Sequence, residues 1–350
     1  MAVTNVDTQI IPGNRIVWID LVKLFAIFLV VLGHCYQQFD VNYKESMPFL
    51  TLSAFHMPLF MMLSGYFIDY YNITDYKTII SKRFFQLILP SLFWITIIWG
   101  TKELIGDNHI SFSRNLWFGL WFLKSLFACI ILLILPRCFI KITWIALIIS
   151  LILSQSVIFI PHLWFLQLNV MFPSLVVGLF IKQVLNKSYK HTAIITYISF
   201  IIFISALPSF DKNILYPNMF KILTPHWIEQ YPILLYRTLV GITGAIAIVG
   251  IFKLYFGKIN VECRIYNRIS TYGRYTMEIY ILQSLILEVL ISHYIDIPPE
   301  KYNSLTHVIY TGLSIIIISC CLYVSTGVKQ IGLGWTFNFN TLKQRCLKYL

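Results

Sequence analysis

Charge is what this 350-residue chain has least of: only 12% of its residues are Asp, Glu, Lys or Arg, about half the share of an ordinary soluble protein. Acids are the scarcer sign, 15 against 27 Lys and Arg, so the formal net charge is +12. Gly/Ser linkers, internal repeats and low-complexity runs are missing, and no loop between apolar segments is longer than about 25 residues. That excludes an extramembrane domain and leaves one domain over residues 1–350. The seven cysteines, Cys35, Cys129, Cys138, Cys263, Cys320, Cys321 and Cys346, form no CxxC pair, so neither a disulfide framework nor a zinc site is expected, and no metal. What the chain has in excess is apolar surface: 58% hydrophobic residues and a mean hydropathy of +0.73. In so apolar a chain a positive balance reports orientation in a bilayer before it reports nucleic acid, and no nucleic-acid partner is expected.

Apolar runs of spanning length occur near 17–38, 47–68, 85–104, 117–135, 143–160, 164–181, 192–207, 233–252, 275–294 and 306–325, bounded by Pro, Gly, Asn and charged residues. The expected fold is therefore all-α: an integral, multi-pass bundle of about ten transmembrane helices, with the lipid bilayer as its first partner. The second run is interrupted by Pro48 and Pro58, and the seventh is short. No basic run or small-residue cleavage site precedes the first apolar segment, so it is expected to stay as a helix. With these boundaries the two ends and the loops after even-numbered helices carry roughly three times as many Lys and Arg as the other loops. Both termini are thus expected in the cytoplasm and the protein in the cell (inner or plasma) membrane.

Within the first run, Asp20, Lys23 and His34 interrupt a segment long enough to cross a bilayer. Each costs a few kcal/mol if it faces lipid, so all three should face protein or water. Eleven residues put Lys23 and His34 on one helix face, about 16 Å apart. Asp20, three residues before Lys23, can pair with it. In the second run, FHMPLFMMLSGYF places His56 just before Pro58, with Ser64 and Gly65 allowing close helix packing. His56 then either faces the first helix or a cavity, or merely satisfies a carbonyl freed by Pro58. Lys82 and Arg83 open the third helix, as positive-inside anchors or as a seat for a phosphorylated ligand. Lys124, about two turns inside the fourth helix, reads equally as a snorkelling residue or a functional one. The ninth helix carries Glu278, near its start, with Gln283 and Glu288 deeper. Arg237 on the eighth helix is the expected partner of Glu288.

Taken in order, Arg15, Asp20, Lys23, Gly33 and His34, the FHMPLFMMLSGYF block, the Lys/Arg-rich start of the third helix ending at Pro90, WFLKSLF and YTMEIYILQ resemble the landmarks of acyltransferase family 3. Length and the FHMPLF block resemble most the fucose 4-O-acetylase-like branch. The resemblance implies ten helices and an integral-membrane enzyme that O-acylates a sugar of a surface or lipid-linked polysaccharide, with an acyl-CoA such as acetyl-CoA as donor. Two positions depart from the family pattern. Gln86 stands where a second arginine is common, and Gln283 where a histidine is.

Acyl transfer to a sugar hydroxyl requires a base that titrates near neutrality, and His34 takes that role. A covalent acyl-histidine is permitted by the chemistry but not required. Lys23 and Arg83, with Lys82 beside them, are expected to hold the phosphates of the cofactor-like donor. Asp20 orients Lys23, and His56 lines the pocket or helps position His34. Lys23 lies near the cytoplasmic end and His34 toward the outer leaflet, which favours a through-membrane pocket entered from both faces; modification of a lipid-linked sugar on the inner side stays open. The competing class is a transporter or flippase for a sugar or lipid-linked sugar, also built from buried ionisable residues and broken helices. Against it, the Pro/Gly interruption is concentrated in the second run, with no matching broken helix in the other half. A non-catalytic scaffold leaves the Asp-Lys-His stripe unexplained.

Overall fold

A computed structural model of the chain describes residues 16–73, 75–106, 111–216, 227–257, 264–291, 293 and 304–341. Arg15, Cys263 and Cys346 lie outside the described residues. All regular structure among the described residues is helical. The principal helices are α1 (Val17–Phe39), α2 (Met47–Tyr66), α3 (Tyr76–Leu104), the short α4 (Phe112–Phe118), α5 (Trp121–Phe139), α6 (Thr143–Ser156), α7 (Leu168–Lys187), α8 (Tyr189–Ala206), α9 (Trp227–Phe256), the short α10 (Arg264–Tyr272), α11 (Thr276–Leu285) and α12 (Ser304–Gln330).

Each of the ten apolar runs forms a helix. Eight helices among the described residues are long and apolar enough to cross a membrane. The fifth run gives only the shorter helix Thr143–Phe159. It stops there because Pro161 disfavours helical backbone at Ile160, which is extended at φ −109°, ψ 97°. The chain then turns through Pro161–Leu166 and a left-handed Gln167 (φ 49°) into α7. The ninth helix, α11, continues as a wide π-helical turn, Ile286–Ile291.

Exposure separates an inner from an outer layer. In their most apolar windows α1, α2 and α7 bury 61%, 61% and 67% of their residues, against 22% for the α8 segment and 33% for α12. The outward faces of the latter two are apolar: Ile194, Ile198, Ile201 and Ile204 on α8, and Val308, Ile309, Ile315 and Ile316 on α12, are all exposed. A continuous apolar belt of this kind is stable against lipid and not against water.

The inner helices touch through missing side chains. A Cβ on Gly65 of α2 would lie 2.1 Å from the Leu175 carbonyl oxygen, and one on Gly178 of α7 would lie 2.2 Å from that of Met62. Only glycine lets these backbones cross so closely, which is the role expected of the Ser64-Gly65 pair. Pro58 leaves the Ala54 carbonyl without its intrahelical donor. Gly241 of α9 packs against that bend, so near that a Cβ there would be 3.0 Å from the Ala54 oxygen.

Alternation of the helices brings Lys182, Lys253 and Lys329 to one end, and side-chain contacts tie that end together. Lys253 lies over the Trp18 ring, Lys182 over Tyr66, and Lys329 both over Tyr275 and bonded to Glu278 at 2.7 Å. Glu278 is thus a helix-start carboxylate in an ion pair.

Candidate functional site

His34 sits toward the C-terminal end of α1, half-buried, with Nδ1 3.6 Å from Oε1 of Glu288. Glu288 belongs to the π-helical turn Ile286–Ile291, and α1 packs against both α11 and that turn. The expected pairing of Glu288 with Arg237 is therefore corrected: the carboxylate faces His34, and Arg237 donates from Nη2 to Gln167 Oε1 at 2.6 Å. Opposite charge and similar depth suggested the wrong pair because they carry no information on which face each helix turns inward. A carboxylate at Nδ1 favours the tautomer with its proton there, leaving Nε2 as the acceptor.

His56 hydrogen-bonds through Nδ1 to the Leu52 carbonyl at 2.7 Å. The carbonyl freed by Pro58 is that of Ala54, so His56 is not there to satisfy it. Of the two expectations, the structure fits the one with His56 at a cavity. His34 and His56 line the same space, about 190 Å³, together with Gln37, Ser53, Trp121, Gln167, Tyr216, Arg237 and Tyr280. Tyr216 reaches the cavity while 47% exposed, and its phenol hydroxyl can donate there.

A second cavity, about 250 Å³, has walls of Ile27, Phe60, Leu63, Leu87, Phe122 and Leu126, with Lys23 and Arg83 as its cations. Asp20 holds Lys23 Nζ at 3.4 Å, and the ammonium lies 4.9 Å from the centre of the Phe67 ring. Arg83 donates to Gln86 Oε1 at 3.2 Å, so the glutamine that replaces the family's second arginine stands at the same place. Both lie around a π-helical turn, Phe84–Ile88, immediately before Pro90. Proline cannot donate to the carbonyl four residues back, and a widened turn absorbs the mismatch. Lys82 lines a third cavity of about 370 Å³ that shares Phe67, Ile68, Arg83 and Ile130 with the second and adds Asp69, Asn72 and Asp75.

The first two cavities are neighbours. Val30, Met57 and Tyr280 line both, one wall apiece from α1, α2 and α11. The Tyr280 hydroxyl accepts a hydrogen bond from the Phe122 amide at 3.4 Å. Sequence reading passed over Tyr280, though a phenol in the middle of an apolar run is itself a signal, since a buried hydroxyl wants a partner. Lys124, by contrast, serves structure. Its ammonium bonds the Leu116, Trp117 and Gly119 carbonyls at the end of α4, closing that helix onto α5. Gln283 is fully buried and donates to Ser284 Oγ at 3.0 Å.

Comparison with known proteins follows this geometry. The sequence profile of acyltransferase family 3, an acyltransferase domain, matches residues 16–325. An alignment 134 positions long, covering 34% of this chain, is 37% identical to Nodulation protein NolL of Sinorhizobium fredii and covers 36% of that protein. Nodulation protein NolL of Mesorhizobium japonicum is 31% identical over 134 residues, covering 35% of this chain and 36% of its own length. The match thus spans little more than a third of either relative. No solved structure matches the chain.

Proposed function

Since the chain belongs to acyltransferase family 3, we propose that it is a membrane O-acyltransferase moving an acetyl group from cytoplasmic acetyl-CoA to a hydroxyl of a surface or lipid-linked polysaccharide sugar. One observation carries this reading. A cavity lined by two cations and apolar side chains adjoins a cavity lined by His34, whose Nδ1 faces Glu288, and the two share the walls Val30, Met57 and Tyr280. The first has the chemistry to take a polyphosphate head and an apolar-lined arm; the second has the chemistry to take a sugar.

In this reading Lys23, held by Asp20, and Arg83 bind the donor's phosphates, with Lys82 in the adjoining cavity. The pantetheine arm runs past Phe60 and Leu126 to the shared walls, so that the thioester carbonyl meets the acceptor there. His34 Nε2 takes the proton of the sugar hydroxyl as its oxygen attacks the thioester carbon. Glu288 at Nδ1 stabilises the imidazolium that forms. Collapse of the tetrahedral intermediate breaks the C–S bond, and the thiolate takes the proton from His34, giving the ester and free CoA. His56, oriented by Leu52, lines the acceptor side. The basic end faces the cytoplasm, where the donor is made, and the protein resides in the cell membrane with the His34 cavity toward the outer leaflet.

Purified protein in liposomes, given labelled acetyl-CoA and a glycan acceptor, tests the reading. Wild type transfers label, and His34→Ala loses about 10²–10⁴-fold in rate while still inserting and accumulating. Near wild-type turnover in His34→Ala would overturn the assignment of the base. Absence of transfer by the wild type to every glycan offered, with movement of a sugar across the bilayer instead, would make the protein a transporter.

A further inference from the structure

Arg237 lies within α9, 9% exposed, on the wall of the cavity that holds His34 and His56. Among the described residues its guanidinium makes one side-chain hydrogen bond, to the neutral amide of Gln167. Among the described residues no carboxylate lines that cavity, and Glu288 stands at His34. A guanidinium does not shed its proton, and a buried cation needs a counter-ion or the site is costly. Gln167 occupies one of five N–H groups and compensates none of the charge. A strut between α9 and the left-handed turn at Gln167 would be served as well by a neutral donor. Trp121 and Tyr216 line the same cavity, an indole and a hydroxyl of the kinds that bind sugars.

From these observations we infer that the missing counter-ion arrives with the acceptor: the His34 cavity takes a glycan bearing an oxyanion, a carboxylate or a phosphate, which Arg237 binds. The fate of that glycan rests on the acyl-transfer reading, whereas the anion site itself does not. The donor's phosphates are a poor candidate for this role, because their cations, Lys23 and Arg83, line the other cavity. An oxyanion on the sugar would also fix its position relative to His34, since a planar guanidinium and a carboxylate or phosphate meet in a two-point geometry.

The test uses the full chain in detergent and three probes: a hexuronic acid disaccharide, the same disaccharide with its carboxyls reduced, and a hexose 1-phosphate. Binding is read by thermal stabilisation. At least one anionic probe should bind while the reduced disaccharide does not. Arg237→Gln should weaken that binding about thirty-fold or more, and Arg237→Lys less. Which anionic probe responds separates carboxylate from phosphate. Equal binding of the reduced disaccharide, no binding of either anion, or wild-type affinity in Arg237→Gln each overturns the site. If Arg237→Gln does not accumulate, the wild-type contrast between acid and reduced probe decides alone. Labelled acetyl-CoA is supplied in parallel. An anion bound through Arg237 but never acylated leaves the site standing and removes the proposed function; acylation of the neutral probe at the anion's rate does the opposite.

Discussion

His34 and Glu288 come from helices some 250 positions apart in the chain, and their approach supplies what an imidazole base needs, a carboxylate on the nitrogen that does not react. Glu288→Gln keeps an acceptor at Nδ1 but removes the charge that steadies the imidazolium. It should lower kcat by about 100-fold or more with smaller effects on either KM; unchanged kcat in steady-state kinetics would exclude Glu288 from the reaction. If the proposed donor site holds, Arg83→Ala should raise the KM for acetyl-CoA more than that for the glycan, with part of the loss recovered in Arg83→Lys. Because Gln86 already touches Arg83, Gln86→Arg should tighten donor binding by adding a second cation there. An unaltered donor KM in Arg83→Ala would return Arg83 to the role of a topology anchor.

Helices, in turn, depend on a few positions where nothing larger than hydrogen fits. A methyl on Gly178 meets the Met62 carbonyl, which is backbone and cannot rotate aside. Gly178→Ala should therefore push α7 from α2 and cost about 1–3 kcal/mol of stability. Gly312 of α12 has open space around it, so Gly312→Ala should be neutral or slightly stabilising. Thermal unfolding of both variants in detergent checks the contrast, and equal melting temperatures would mean that the α2–α7 crossing is looser than its geometry. Lys124 belongs at this scale too. Its three carbonyl bonds end α4, so Lys124→Met should lose stability, on the order of 2 kcal/mol, while leaving the donor KM in place.

Across the whole molecule, the proposed division of labour between the two cavities depends on which end faces the cytoplasm. Lys182, Lys253 and Lys329 gather at one end through alternation of the helices and their contacts with Tyr66, Trp18, Tyr275 and Glu278, and Lys23 lies beside Phe67, the residue after Tyr66. A Cys placed at exposed Ser209, after α8, should react with an impermeant thiol reagent in intact cells. One at exposed Tyr272, at the end of α10, should react only after permeabilisation, in a background without Cys263 and the other native thiols. The opposite pattern would put Lys23 and Arg83 outside, where cytoplasmic CoA does not reach, and the donor site would have to be abandoned even with an essential His34.

Much of this was legible in the chain itself, and for local reasons. Apolar runs, their Pro and Gly boundaries, the Asp20–Lys23 pair and the placing of Lys23 and His34 on one face of α1 all follow from helical periodicity over a few turns. Gly65 could be assigned to a close crossing because a small residue in an apolar helix has few other uses. Packing decided the rest. That His34 meets Glu288, that Arg237 bonds Gln167, that Lys124 closes α4, and that Tyr280 stands between two cavities each depend on how helices rotate about their axes and which become neighbours. Those choices are set by contacts between residues far apart in sequence, such as Gly65 with Leu175 or Gly241 with Pro58, and a periodicity within one helix holds no record of them.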